Sequence, residues 1–98
     1  MKTLRQGDIL LQTRQEIPKG FKKSKDNILV YGESTGHKHV LQGGDVYRDI
    51  NNAMFLNIKD KALLVHEEHK PLSLSAGKYA VIRQREYVSS DMTKIVVD

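Results

Sequence analysis

Residues 71–88, "PLSLSAGKYAVIRQREYV", alternate in a way that only a β-strand can use. Leu72 and Leu74 interleave with Ser73 and Ser75. After Ala76-Gly77, which reads as a turn, Tyr79, Val81, Arg83, Arg85 and Tyr87 share one face, and Ala80, Ile82, Gln84 and Glu86 take the other. Successive strand side chains point to opposite faces, so this period of two specifies a sheet and opposes a helix. No window of eleven or more residues offers a helical period with start and stop signals.

The rest of the chain agrees. "GDILLQT" puts Ile9 and Leu11 on one face, "ILVYGE" (28–33) is rich in β-formers, and "HKHVLQ" runs into Gly43-Gly44-Asp45, a turn signal. "DVYRDI" and "NNAMFLNIK" are expected to pair as a hairpin across Asn51-Asn52, with Met54, Leu56 and Ile58 facing inward. "ALLVHEE" follows, and "KIVVD" reads as a last strand. The expectation is an all-β fold, a small single-domain barrel or sandwich of about eight short, mostly antiparallel strands covering residues 1–98. Ninety-eight residues leave room for one core.

Composition excludes several classes. With 39% hydrophobic and 29% charged residues the chain is not of the disordered type. It has no cysteine, which removes disulfides and thiolate metal sites and suits a cytoplasmic setting. "MKTLRQGDILLQ" is interrupted by Arg5 and Asp8 and does not read as a signal peptide, and no apolar run is long enough for a membrane helix. The formal charge of +4 is localised: Arg14, Lys19, Lys22, Lys23 and Lys25 stand against Glu16 in residues 14–25 and account for all of it. Residues 14–26 read as a basic surface loop, with turn chemistry at Pro18-Lys19-Gly20. Lys19, Lys22, Lys23 and Lys25 are candidates for gripping an RNA or DNA backbone, though a lysine-rich loop also serves solubility alone.

The four histidines of the chain fall into two close pairs, His37/His39 and His66/His69. Residues i and i+2 of a strand lie on one side about 7 Å apart, so His37 and His39 can present two imidazoles to one point. His66 and His69, three apart, would leave a continuous strand on opposite faces. Pro71 disfavours helical geometry at Lys70. Either a tight turn at Glu67-Glu68 brings both histidines round, or the strand continues and presents His66 with Glu68. The first gives His37, His39, His66 and His69 as metal ligands; the second gives three histidines and Glu68. Both sets suit a divalent ion such as zinc, iron, manganese or nickel. Glu67 is then a candidate general base or a partner that orients a ligand.

Two other readings use the same residues. A metal-free nuclease would pair a neutral with a protonated imidazole as base and acid, and Arg83 and Arg85 would stabilise the developing phosphorane charge. An assembly subunit, of phage or bacterial type, would pair its edge strands into an oligomer with the histidines incidental.

Two resemblances bear on these readings. The His-x-His pair, the glycine turn and the later histidine of residues 36–69 loosely resemble the metal motif of the cupins, which implies strand-borne histidine ligands. Cupins usually add a glutamate shortly after the His-x-His; here Gln42, Gly43, Gly44 and Asp45 occupy that stretch, with Asp45 as its carboxylate. "GESTGHKH", "HEEHKPL", "GKYAVIRQREY" and "VVD" together resemble a group of short bacterial and phage proteins. That likeness groups the histidine pairs with the "QREY" strand and implies no activity.

Overall fold

The alternation seen in the sequence is realised as eight strands in a computed structural model that describes residues 2–31 and 37–83. They are β1 (Thr3–Gln6), β2 (Ile9–Arg14), β3 (Lys22–Lys23), β4 (Ile28–Tyr31), β5 (Lys38–Gln42), β6 (Asp45–Arg48), β7 (Met54–Val65) and β8 (Leu72–Arg83). No helix occurs among the described residues. The sheet runs β1-β2-β8-β7-β5-β4, while β6 pairs with β7 and carries β3 on its other side. Every pairing is antiparallel, and the sheet curls into a half-barrel.

β7 and β8, twelve residues each, are the spine. Met54, Leu56, Ile58, Ala62 and Leu64 of β7 point inward against Leu74 and Tyr79 of β8, with Ile9, Leu11, Leu29, Leu41 and Val46 completing the core. The expected β6–β7 hairpin forms, with a five-residue loop between Arg48 and its partner Met54. Asp49 closes that loop by accepting from the Asn51 and Ala53 amides through Oδ1, both at 2.9 Å.

Three local expectations need correction. Gly43-Gly44 is not a reversal: β5 pairs with the far end of β7 (Gln42 opposite Leu63) and β6 with its near end (Asp45 opposite Asn57), so the chain bends and keeps its direction. A Cβ on Gly44 would lie 2.5 Å from Ile58 Cδ1 and 3.2 Å from the Asn57 carbonyl oxygen, so the bend needs a residue without one. Ala76-Gly77 is not a turn either. β8 continues through it with Gly77 opposite Ile58, beside a bulge that inserts one extra residue in β7 before Lys61 meets Ser75. Finally, the 14–26 segment is not all loop, because Lys22 and Lys23 pair with Arg48 and Tyr47, and Phe21 packs edge-on against Phe55 at 5.0 Å between centroids. The expected last strand "KIVVD", together with Arg85 and Tyr87, lies outside the described residues.

Candidate functional site: a four-histidine cluster

The site begins at a hairpin that the alternation alone does not announce. Gln6 pairs with Ile9, which leaves Gly7-Asp8 as a two-residue turn, and Gly7 has φ +60°, as the first central position of a type II′ turn requires. Gln6, at the end of β1, is buried although polar. Both of its N–H groups are used: Nε2 donates to the carbonyls of Leu64 (2.8 Å) and Lys70 (2.9 Å), and Oε1 faces His39 Nδ1 at 2.8 Å. Two carbonyl acceptors fix the amide nitrogen, so the oxygen must be the group that meets His39. His39 therefore carries a proton on Nδ1, and its Nε2 is left with a lone pair when the ring is neutral.

Neutrality is enforced. His39 is only 4% exposed. That burial, helped by His66 and His69 and opposed by Asp8 and Glu67, lowers its pKa from 6.5 to about 4. The Asp8 carboxylate stands 3.7 Å from the unprotonated Nε2.

The other imidazoles gather round this ring. β7 ends at Val65 and β8 begins at Leu72, so His66 and His69 sit on the connection between them, and the chain does turn at Glu67-Glu68. Ring centroids of His39 and His66 are 4.4 Å apart, those of His66 and His69 4.7 Å, those of His39 and His69 6.3 Å, and those of His37 and His66 5.6 Å. The two sequence pairs thus form one cluster. His39 lies in β5 and His37 immediately before it. His69 packs on the bare Cα of Gly7, where a Cβ would come within 2.7 Å of its Nε2.

The two glutamates hold the connection in place. Glu67 Oε1 accepts from the Lys38 backbone amide at 2.9 Å, joining the β7–β8 connection to the first residue of β5. That bond, with one from its own amide and the nearby His37 and His66, holds the Glu67 carboxyl below its ordinary range. Glu68 Oε1 lies 3.3 Å from His37 Nδ1, and the Glu68 amide donates to His66 Nδ1 at 3.0 Å. The neutral His66 ring consequently carries its proton on Nε2, the tautomer opposite to His39. Among the described residues, no three His, Asp or Glu side chains already stand in a geometry that would hold a metal ion.

Other candidates fall elsewhere. Arg83 stands opposite Ile9, next to the hairpin turn, and Arg85 lies outside the described residues. Lys22 and Lys23 are in β3, which reaches β7 through β6 at the Met54–Phe55 end, whereas the histidines gather at the Val65 end. Asp45, the carboxylate of the cupin-like stretch, faces Lys23 at 3.4 Å. No sequence pattern singles out Gln6, Gly7 and Asp8. The one signal available is Gly7-Asp8 itself, a hairpin dipeptide flanked by Leu4 and Ile9.

No curated protein and no solved structure matches the chain. The family model of a domain of unknown function, DUF8820, matches residues 5–84, a span that contains all four histidines together with Gln6 and Asp8, and the chain belongs to that family.

Proposed function

We propose that this domain binds a divalent transition-metal ion through His39, His66 and His69, with Asp8 as a carboxylate ligand. The observation that carries the reading is the pair of acceptors where buried His39 meets the exposed carboxylate of Asp8. His39 has its Nδ1 proton committed to Gln6, and its unprotonated Nε2 stands 3.7 Å from Asp8 Oδ1. A lone pair and a carboxylate facing each other favour a cation between them. A metal-bound imidazole that donates its other N–H to a fixed oxygen is the usual arrangement around protein-held metals. Three imidazoles and a carboxylate suit zinc, iron, manganese or nickel. An ion left with an open coordination position would activate water, which makes hydrolysis the reaction class that fits best.

Loading asks these side chains to close on the ion, since no three of them already stand as ligands among the described residues. His66 must release the Glu68 amide from Nδ1, so that the proton can move there and Nε2 can bind. His37, farther out and facing the exposed Glu68, serves to steady that connection and is not required as a ligand. Titration of chelator-treated, untagged protein with zinc, manganese, iron and nickel ions should give one site per chain. His39→Ala should abolish it, while His37→Ala should weaken it less than about tenfold. The Glu68 amide resonance should move on loading. Absence of any stoichiometric ion, or a His39→Ala protein that binds as tightly as the parent, would sink the proposal.

The opposite tautomers of His39 and His66 favour a second reading, a metal-free acid–base pair. His39 Nε2 would take a proton from a ribose hydroxyl, and a protonated His66 would supply one from Nε2 to the leaving group and return to its neutral form. That enzyme would cleave RNA in the presence of chelator, and the activity would vanish in both His39→Ala and His66→Ala.

A further inference from the structure

Beside His69 a cleft of about 330 Å³ opens between the hairpin and the β7–β8 connection, walled by Arg5, Gln6, Gly7, His69 and Lys70. Among the described residues, the wall carries two cationic side chains, Arg5 and Lys70. We propose that this cleft receives the phosphate group of a small phosphate monoester and is the substrate-binding half of the histidine site.

The cations are held at their roots by the network that sets the histidines. Arg5 Nε donates to the Gly7 carbonyl at 2.8 Å, which orients the guanidinium along the hairpin turn. The Lys70 carbonyl accepts from Gln6 Nε2 at 2.9 Å, so the lysine stem starts from a fixed point. The same Gln6 side chain bonds His39 through its oxygen, and one amide therefore positions both the candidate metal ligand and one wall of the cleft. Gly7 lets the His69 ring lie against the turn, where any Cβ would displace it. A guanidinium, an ammonium and an imidazole lining one cleft supply the charge and the hydrogen-bond donors that a phosphate dianion takes. The volume lies at the lower end of small-molecule sites, of roughly 300–1,000 Å³, which suits a compact ester better than a stretch of polymer.

What happens to the anion after binding rests on the metal reading; its binding does not. The test is calorimetric titration of the full chain with inorganic phosphate and, separately, phenyl phosphate, with amide spectra recorded alongside. Binding should move the amides of Gly7, His69 and Lys70. The Arg5→Gln/Lys70→Gln double variant should weaken it at least tenfold while zinc affinity stays within about twofold of the parent. Lys70→Gln alone keeps the test open if the double variant fails to fold. The proposal is overturned if those amides do not respond, if the variants bind phosphate as the parent does, or if zinc and phosphate affinity fall together. Inorganic phosphate binding more tightly than phenyl phosphate would mark a free-ion site and overturn the ester assignment. Phosphate binding that survives a complete failure of metal binding would leave the cleft standing and remove the metal.

Discussion

Gln6 is the residue on which the site turns. A buried amide whose two N–H groups are both committed to backbone carbonyls can offer only its oxygen to the imidazole, so it dictates the tautomer of His39. The low pKa of His39 has a consequence for stability in the metal-free protein. Its folded-state value, about 4, lies below the unfolded value of 6.5, so between these the unfolded chain holds the extra proton. The stabilisation is fully present above pH 6.5 and is lost as the pH falls toward 4. It amounts to about 3 kcal/mol in all, because each tenfold difference in proton affinity between the two states is worth about 1.4 kcal/mol. Glu67 is depressed too and acts in the same sense at lower pH, its contribution disappearing as the carboxyl protonates. Urea unfolding of chelator-treated protein at pH 7.5 and pH 4.5 should show this loss, and His39→Gln should remove most of it. Equal pH dependence in parent and variant would mean that His39 is not held neutral by the fold.

At the scale of the strand, the sequence is legible in kind and misleading in punctuation. The all-β class, the inward set Met54, Leu56 and Ile58 and the β6–β7 hairpin follow directly from period-two alternation. The two false turns share one cause. Leu41 and Val46 both point inward although five residues apart, and so do Leu74 and Tyr79. Such a break in parity looks the same in a sequence whether the chain reverses or a continuing strand bends at a bulge. Here both breaks are bends, and both lie against β7. The histidine cluster is half legible: the i, i+2 pair follows from strand geometry, whereas the path at Glu67-Glu68 depends on a backbone bond from Lys38 that no spacing encodes. Gln6 and Asp8 leave no pattern because each acts through long-range contacts. The bend at Gly44 carries its own prediction. Gly44→Ala must push Ile58 Cδ1 aside and crowd a backbone oxygen, so it should cost about 1–3 kcal/mol in chemical denaturation. An alanine tolerated there without loss would mean that β5 and β6 are not bent tightly over β7.

At the scale of the whole molecule, β7 separates two regions of different chemistry. Its Val65 end meets β5 and the histidines, and its Met54 end meets β6, which carries the basic strand β3. Lys23 is engaged with Asp45, while Lys19, Lys22 and Lys25 are exposed on a segment anchored by Phe21 against Phe55. A polyanion gripped by these lysines would lie along the side of the sheet remote from the imidazoles, so binding there and metal loading should be separable. Replacing Lys19, Lys22 and Lys25 by glutamine should leave zinc affinity within about twofold. If the segment does bind single-stranded RNA, the same variant should lower affinity and flatten the salt dependence by about 0.7 in log–log slope for each phosphate contact removed. A salt slope that stays the same in the variant would assign the lysines to solubility. A parallel loss of zinc affinity would show that the two ends of β7 are coupled and that the basic strand belongs to the histidine site after all.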